Sequence, residues 1–257
     1  MPRPSGSNAI EKTLAVLDAL GDHERIADIA VATGLHKSTV HRILQEFARL
    51  GFAQATEQGT YQGGVRILGL AGRVLARSGA ADRARPELEA LQEECGGTVH
   101  LALLDGSEAV YVAKVEGSKP YRMASRVGMA VPLHTTAIGK AVLAALPDTE
   151  VGSLLGRIRL PARTPSTITD PDRLRTHLRA VRERGWSVDD EENEANVRCV
   201  GAAVVDHTRR VIGAVSVSQL ITDPAYRPPE DIGPRVKRAA RKISRLLGAP
   251  AEVGPAD

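Results

Sequence analysis

The amino-acid sequence predicts an α+β protein that is divided into two domains. Its 257 residues match the length of two ordinary domains, for which about 100–200 residues each is usual. The first eighty residues carry apolar side chains at helical spacing, whereas several later segments alternate apolar and polar residues as β-strands do. Helices flank these later strands along the chain, which is typical of an α+β domain.

Three helices are predicted before residue 51. The first has its apolar residues on one face: Ile10, Leu14, Leu17 and Leu20. The second ends at Gly34, because glycine tolerates the positive φ of a tight turn. Ala30 is small where two helices cross closely, and Val40 packs the third helix onto the second. The spacing from Ala30 to Gly34 to Val40 predicts a helix-turn-helix.

The third helix, from about Lys37 to Leu50, combines an apolar stripe with a polar and cationic start. With Val40 and Ile43 buried, a row of residues faces outward: His36, Lys37, Ser38, Thr39, His41 and Arg42. Recognition helices meet DNA near their N-terminal end. Hydroxyl groups and lysine suit phosphates, and arginine and lysine also read guanine edges. The alternative is a helical hairpin with a solvated polar face.

Two short strand-like pieces follow, "GFAQAT" and "GTYQGG", with the turn "EQG" between them. A hairpin after the third helix predicts a wing, with Gln58, Gln62 and Arg66 as candidate contacts to DNA. Residues 1–64 are therefore predicted to form a winged helix-turn-helix domain, and residues 65–80 a linker helix.

Residues 81–250 are predicted to form the second domain. It begins with an amphipathic helix and a hairpin that turns at Asp105-Gly106. A third strand in "YRMASRVGMAVPL", a helix in "HTTAIGKAVLAALP" and an arginine-rich helix in "PDRLRTHLRAVRERG" follow. A second hairpin turns at residues 206–210, and a basic helix ends the domain before a disordered tail at 251–257.

An acidic run, Asp189–Glu194, precedes a strand that carries Cys199. It is open to three interpretations: a solvated loop, a metal site, or one wall of a small-molecule pocket. Its oxygens suit Ca²⁺ or Mg²⁺, but the alternating pattern of a calcium loop is absent from this sequence. Cys199 as a nucleophile would need a base such as His100, His134 or His207. No catalytic residue and no metal ligand is predicted.

The start of the helix in "PLHTTAIGKA" is a second pocket candidate, because backbone amides at a helix N-terminus bind anions. The alternative is a plain capped helix.

Composition excludes several classes of protein. No apolar run approaches the ~18 residues of a membrane span, and the N-terminus lacks the apolar core of a signal peptide, so a cytoplasmic protein is expected. Two cysteines are too few for a disulfide framework or a four-cysteine zinc site. Aromatic content of 3% poorly supplies base stacking, and a net charge of +3 permits a polyanionic partner without requiring one.

These segments together resemble the IclR family of bacterial transcriptional regulators over nearly the whole chain. "LHTTAIGKAVLA" and "RERGWSVDDEENEANVRCVGAAVVD" carry the resemblance in the second domain. The second run matches the family signature at Gly185, Asp189, Glu192, Cys199, Val200, Gly201, Val204 and Asp206. One departure is Val205, where the family usually has an aromatic residue or histidine.

The resemblance implies a GAF-like C-terminal domain that binds a small effector, often a carboxylate or aromatic acid, with no cofactor. Carried onto this sequence, the effector-binding positions are Pro120, Met123, Ala137, Ile138, Asp189, Cys199, Ser216 and Ser218. Members that bind small α-keto acids have glycine and then alanine where this chain has Ala137 and Ile138. The bulk of Ile138 argues against a ligand of that shape.

The resemblance also implies the partners. Family members pair through the DNA-binding and linker region, so we expect a homodimer or dimer of dimers on double-stranded operator DNA, with no membrane partner. The predicted function is a regulator, by expectation a repressor, whose operator affinity a small organic acid controls. The alternative is a small-molecule enzyme that uses Cys199 and carries an accessory helical domain.

Overall fold

The computed structural model describes residues 9–70, 79–117 and 123–250. The chain divides into two compact units, Met1–Ser78 and Gly79–Asp257. The tail predicted at 251–257 and most of the second half of the predicted linker helix lie outside the described residues.

The first unit is a three-helix domain with a short hairpin. Its elements are α1 (Ala9–Ala19), α2 (Ile26–Thr33), α3 (Lys37–Arg49), β1 (Ala53–Ala55), β2 (Tyr61–Gly63) and α4, which covers residues 65–70. The two strands pair antiparallel, with Gln54 opposite Gln62. Gly34 ends α2 with a φ of 69°, as the turn requires, and Ala30 and Val40 are buried beside it. The predicted helix-turn-helix and hairpin are confirmed.

The predicted buried face of α1 is wrong in part. Ile10 and Leu14 are 68% and 54% exposed, whereas Val16 is fully buried and Leu20 nearly so. The helix carries two apolar stripes, because Val16 is about 200° around the axis from Leu14. The core of this unit uses the Val16 stripe, and the Ile10 stripe lies on the surface.

The second unit is a sheet with helices on both faces. Its elements are α5 (Ala80–Cys95), β3 (Thr98–Asp105), β4 (Glu108–Val115), β5 (Ala130–Pro132), α6 (Ala137–Ala145), α7 (Asp148–Leu155), α8 (Pro171–Arg184), β6 (Ser187–Asp190), β7 (Val197–Val205), β8 (Val211–Leu220) and α9 (Pro229–Leu246). The six strands lie in the order β5-β4-β3-β8-β7-β6, and every neighbouring pair is antiparallel.

Each face of the sheet has its own apolar core. Leu88 of α5 and Val236 of α9 pack with alternate residues of the central strands, among them Val217. On the other face, Val142 of α6 and Leu178 of α8 pack with a second set. Side chains alternate along a strand, so the central-strand residues that do not face α5 and α9 point toward α6.

Three local predictions for this unit are corrected. In the described part of the predicted third strand, only Ala130–Pro132 pairs as a strand. Before it, the carbonyl oxygens of Met123 and Ser125 accept from Lys114 Nζ (2.9 and 2.7 Å). The acidic run begins within a strand, β6, rather than in a loop. The helix α7 was not predicted at all.

Among the described residues, no helix combines the length and the apolar character that crossing a bilayer requires.

Candidate functional sites

The start of α3 is an open, cationic helix end. His36 precedes the helix with an extended backbone (φ −64°, ψ 141°), and no side chain caps the first turn by a hydrogen bond. In that turn the amide of Thr39 donates to the carbonyl of His36 (2.9 Å), whereas helix geometry leaves the amides of Lys37 and Ser38 without carbonyl partners in the helix. The helix dipole adds partial positive charge. Five of the six predicted residues are exposed and Thr39 is half-buried; the exposed five are His36, Lys37, Ser38, His41 and Arg42. We call this surface the α3 front.

The α3 front is held by the opposite side of the same helix. Val40 and Leu44 are fully buried and Phe47 nearly so. The ring of His41 lies edge-on to Tyr61 of β2, with centroids 6.4 Å apart. The hairpin therefore lies beside the front half of α3, where a wing contributes to a nucleic-acid surface.

Two of the three predicted wing contacts to DNA lie on the hairpin. Gln58 and Gln62 are exposed, and hydrogen bonding between the hydroxyls of Thr56 and Thr60 (2.8 Å) braces the turn. Arg66 is not on the wing, because it lies in α4. Its guanidinium donates to the carbonyl of Leu50 (3.0 Å) and lies 5.0 Å from the Phe52 ring centroid. Arg66 therefore joins α4 to the end of α3.

In the second unit, the α6-facing side of the sheet is polar at its centre. Register places Cys199 opposite both Asp189 and Ser218. Two residues earlier on β8, Ser216 lies opposite His100 of the neighbouring strand β3. We call these five residues the polar face. Four of the predicted effector positions are therefore brought together: Asp189, Cys199, Ser216 and Ser218.

The start of α6 lies against this polar face. The hydroxyl of Ser187 donates to the carbonyl of Ala137 (2.6 Å), and a side chain at Gly201 would meet that same carbonyl at 2.8 Å. The Thr136 hydroxyl accepts from the amide of Gly139 (3.0 Å) and so caps the helix. Helix geometry leaves the amides of Ala137 and Ile138 without carbonyl partners in α6. Amides in this position suit a carboxylate.

Burial shifts the titratable groups of the polar face toward their uncharged forms. Desolvation raises the pKa of Asp189 to about 7, although Lys140 and the amides of Glu192 and Asn193 oppose the shift. The Asp189 carboxylate accepts from those amides at 2.8 and 3.2 Å. Desolvation, and then Asp189, raises the pKa of the Cys199 thiol well above its usual value. A protonated thiol is a poor nucleophile, so this environment does not favour the enzyme alternative.

A buried ion pair lies next to the polar face. Lys140 of α6 is fully buried, and its ammonium group pairs with the carboxylate of Glu192, whose side chain is 5% exposed. The backbone amide of Glu192 is also one of the two that donate to Asp189. The pair therefore fixes the acidic loop to α6 and leaves no unpaired cation from Lys140 for a ligand.

Sequence reasoning named His100 only as a possible base for Cys199, and it missed Tyr111. Their rings stack with centroids 4.6 Å apart, and His100 Nε2 lies 2.8 Å from the Ser125 hydroxyl. Burial lowers the pKa of His100 to about 3, so its ring is neutral. A polar residue between Val99 and Leu101 of an otherwise apolar strand was the available signal. Lys140, a single cation within the apolar helix α6, was another.

Two predicted effector positions remain, Met123 and Pro120. Met123 is half-buried, and its carbonyl accepts from Lys114. Pro120 lies outside the described residues. Within the described ranges, no group of three acidic, histidine or cysteine side chains is arranged to hold a metal ion.

Comparison with known proteins agrees with this two-part architecture. Residues 9–57 match the IclR helix-turn-helix domain, and residues 72–245 match the C-terminal domain of IclR bacterial transcriptional regulators. The chain is 34% identical to the HTH-type transcriptional regulator XynR of Escherichia coli K12, over 95% of this chain and 98% of that protein. It is 33% identical to the transcriptional repressor IclR of E. coli K12, over 87% and 82%.

A solved structure agrees as well. The crystal structure of the Thermotoga maritima IclR aligns with a TM-score of 0.72 and 34% identity, over 94% of this chain and 99% of that one. The matched family models and relatives therefore define a DNA-binding transcriptional regulator with a C-terminal effector domain. The chain belongs to the IclR family.

Proposed function

We propose that this regulator acts as a repressor, that it binds its operator through the α3 front, and that a small organic acid bound at the polar face controls the affinity. One observation carries the proposal. A single chain combines an exposed cationic helix start with a buried polar face that ends at open helix amides. The first suits phosphates and base edges, and the second suits a small acid.

At the operator, Arg42 and Lys37 are the leading contacts to bases and phosphates. Ser38 and Thr39, beside them, suit phosphate oxygens, as do the open amides of the first turn. Double-stranded DNA is the partner that this surface fits, because a helix of this kind enters the major groove with its N-terminal end first.

The operator-bound form is proposed to be a homodimer or a dimer of dimers. Two apolar stripes of the first unit support pairing: Ile10 and Leu14 on α1, and Val65 and Leu68 on α4, are 54% to 76% exposed. Large apolar side chains clustered on a surface mark interaction sites. Pairing would place two α3 helices about one DNA turn apart, or a multiple of it, on an inverted repeat.

The effector is proposed to be an acid that also carries hydrogen-bonding groups. The amides of Ala137 and Ile138 would bind its carboxylate. The Asp189 carboxyl and the hydroxyls of Ser216 and Ser218 would bind the rest of the molecule. The effector changes operator affinity only if it binds two arrangements of the regulator with different affinity. The resulting coupling free energy is typically ~1–3 kcal/mol. The linker region at 65–80 is the proposed connection.

A screen and a binding assay test this together. Small organic acids are screened for a rise in the melting temperature of the full chain, and each hit is then added to the regulator on DNA selected from a random pool. We expect at least one acid that raises the melting temperature, shifts DNA affinity by about fivefold or more, and loses both effects in Ser216→Ala. Hits that act equally on wild type and Ser216→Ala would overturn the assignment of the polar face.

A further inference from the structure

A segment between α7 and α8, residues 161–168, crosses the loop that follows β6. It contains neither helix nor strand. One end is tied to the residues that precede α6, because the carbonyl of Pro161 lies 3.1 Å from Nε2 of His134. Near the other end, Ile168 packs against the apolar core on the α6 side of the sheet. We call this segment the strap.

Two threonine hydroxyls of the strap bind the backbone of the acidic loop, residues 191–196 between β6 and β7. Thr164 donates to the carbonyl of Glu191 (2.6 Å), and Thr167 donates to the carbonyl of Glu192 (2.6 Å). The Thr167 hydroxyl also accepts from two amides of the strap itself (3.0 Å each). A hydroxyl has two acceptor positions and one proton to donate. Since the strap fills the acceptor positions, the proton is directed at the acidic loop.

The acidic loop depends on such contacts, because one of its residues is held in an unfavourable conformation. Glu191 has a φ of 57°, in the left-handed region that residues with a side chain rarely adopt. A backbone of this kind persists only where its surroundings fix it. The bond from Thr164 is one such contact, and the amide of Asn196, which donates to the Glu191 carboxylate (2.9 Å), is another.

The first strap bond orients a peptide group that Asp189 binds from the opposite side. A peptide unit is planar and trans, so its carbonyl and its amide point in opposite directions. The carbonyl of Glu191 and the amide of Glu192 belong to one such unit. Thr164 binds that carbonyl, and the Asp189 carboxylate accepts from that amide (2.8 Å).

The second strap bond repeats this arrangement one residue later. The carbonyl of Glu192 and the amide of Asn193 form the next peptide unit. Thr167 binds the carbonyl, and the same Asp189 oxygen accepts from the amide (3.2 Å). The side-chain carbonyl of Asn193 also accepts from the hydroxyl of Thr135 (3.1 Å), which precedes α6. Both amides that bind Asp189 are therefore held from behind by a threonine hydroxyl of the strap.

We propose that Thr164 and Thr167 are positioning residues for the effector site, which hold two peptide groups so that both amides meet the carboxylate of Asp189. Hydrogen bonds in a chain polarise one another, so a donor on the carbonyl also strengthens the bond that the amide makes. Neither threonine belongs to the polar face, and each acts through Asp189. The role of Asp189 in binding an effector rests on the proposed function, whereas its positioning by the strap does not.

Amide hydrogen exchange of the full chain, with no effector added, measures the positioning. Thr164→Val/Thr167→Val removes both hydroxyls and keeps the shape of the side chains, whereas Thr164→Ser/Thr167→Ser keeps the hydroxyls. We expect the amides of Glu192 and Asn193 to exchange at least about tenfold faster in the valine variant, because the peptide group of each loses one hydrogen bond. In the serine variant both amides should exchange at rates close to those of wild type.

Ser244→Ala is the matched control. This buried hydroxyl of α9 accepts from the amide of Val205 (3.0 Å) and donates to the carbonyl of Ala240 (2.8 Å), on the other face of the sheet. Its loss should lower the melting temperature and leave the exchange of the Glu192 and Asn193 amides unchanged.

The titration of Asp189 gives a second measurement, followed by the carboxyl carbon in NMR and assigned with Asp189→Asn. The two loop amides lower the pKa of Asp189 against the effect of burial, so this pKa should be higher in the valine variant than in wild type. The other titratable groups near Asp189 are the same in both proteins: Lys140, Glu192, Cys199 and Tyr111.

The proposal is overturned if the valine variant leaves the exchange of both amides unchanged, or if Ser244→Ala accelerates it equally. A serine variant that behaves like the valine variant would overturn it too. Melting temperatures show which variants are folded, and Thr167→Val alone gives the same measurements if the double variant does not fold. Because no effector is used, these results are independent of whether an acid binds at the polar face.

Discussion

The α3 front and the polar face differ most in how far water reaches their polar groups. On α3, Lys37 and Arg42 are exposed and charged, and the apolar residues that hold them lie on the far side of the helix. On the sheet, Asp189 and Ser216 are 2% and 3% exposed, and the polar groups themselves form part of the packed interior.

The two surfaces therefore depend on the fold in different ways. Exposed charges act on phosphates at a distance and release counterions, so they contribute to affinity with little effect on stability. Buried polar groups have already lost their water, so changing one alters stability as well as binding. Substitutions should therefore separate the two surfaces cleanly.

The largest effect is expected at the buried ion pair beside the polar face. Lys140→Ala leaves the Glu192 carboxylate buried without its cation, which costs about 3–5 kcal/mol of unfolding free energy. Urea denaturation measures it. The matched control is Arg175→Ala, which removes an exposed pair with Asp172 and should cost less than about 1 kcal/mol. Similar losses of unfolding free energy in both variants would contradict the expected difference between a buried and an exposed ion pair.

The next effect is a pH dependence of stability caused by Asp189. Its pKa is about 7 in the folded protein and 3.8 in its ordinary state, so the folded state holds the proton more tightly. The contribution of this carboxyl to the free energy of unfolding is fully present below pH 3.8. It is lost as pH rises through about 7, by at most about 1.4 kcal/mol per pH unit.

Denaturation at pH 5 and pH 8, for wild type and Asp189→Asn, isolates this carboxyl. His100 and His177 have lowered pKa values and act in the opposite direction below pH 6.5, but they are present in both proteins. Wild type should lose more stability than Asp189→Asn between the two pH values. Equal changes would mean that Asp189 is ionised in the folded protein.

On the exposed surface, Arg42→Ala should weaken binding to selected operator DNA by about 1–3 kcal/mol. Its unfolding free energy should stay within about 0.5 kcal/mol of wild type, because Arg42 is exposed. Gel-shift titration gives the affinity. Arg49→Ala is the control, since Arg49 lies in the last turn of α3 and pairs with Glu46. Equal losses for Arg42 and Arg49 would remove the assignment of the α3 front.

The smallest effect is expected at Arg66. Arg66→Ala removes one hydrogen bond and one cation–π contact at an exposed position, so it should cost about 1 kcal/mol or less of stability. DNA affinity should not change at fixed salt. A fall in affinity as large as that of Arg42→Ala would restore Arg66 as a wing contact.

The two surfaces also differ in how well the sequence predicts them. Helical periodicity and the Ala30–Gly34–Val40 spacing predict α3 and its outward residues, because an exposed helix surface depends on local sequence alone. The same reasoning chose the wrong stripe of α1, since Leu14 and Val16 are both apolar and only tertiary packing decides which is buried.

Family resemblance predicted four of the five residues of the polar face. The contacts that hold them in place were not predicted. Pairing of Lys140 with Glu192 joins residues 52 positions apart. Stacking of His100 on Tyr111 likewise depends on how strands β3 and β4 pair. Register is set by long-range pairing, which periodicity in one strand does not reveal.

The salt dependence of operator binding measures whether the α3 front contacts DNA phosphates. The logarithm of the association constant is plotted against the logarithm of salt concentration for wild type and for Lys37→Ala/Arg42→Ala. If the α3 front binds DNA phosphates, the slope of the variant is less steep by about 0.9 for each phosphate that it no longer neutralises, and affinity falls at every salt concentration. Identical slopes and affinities for the two proteins would contradict the account.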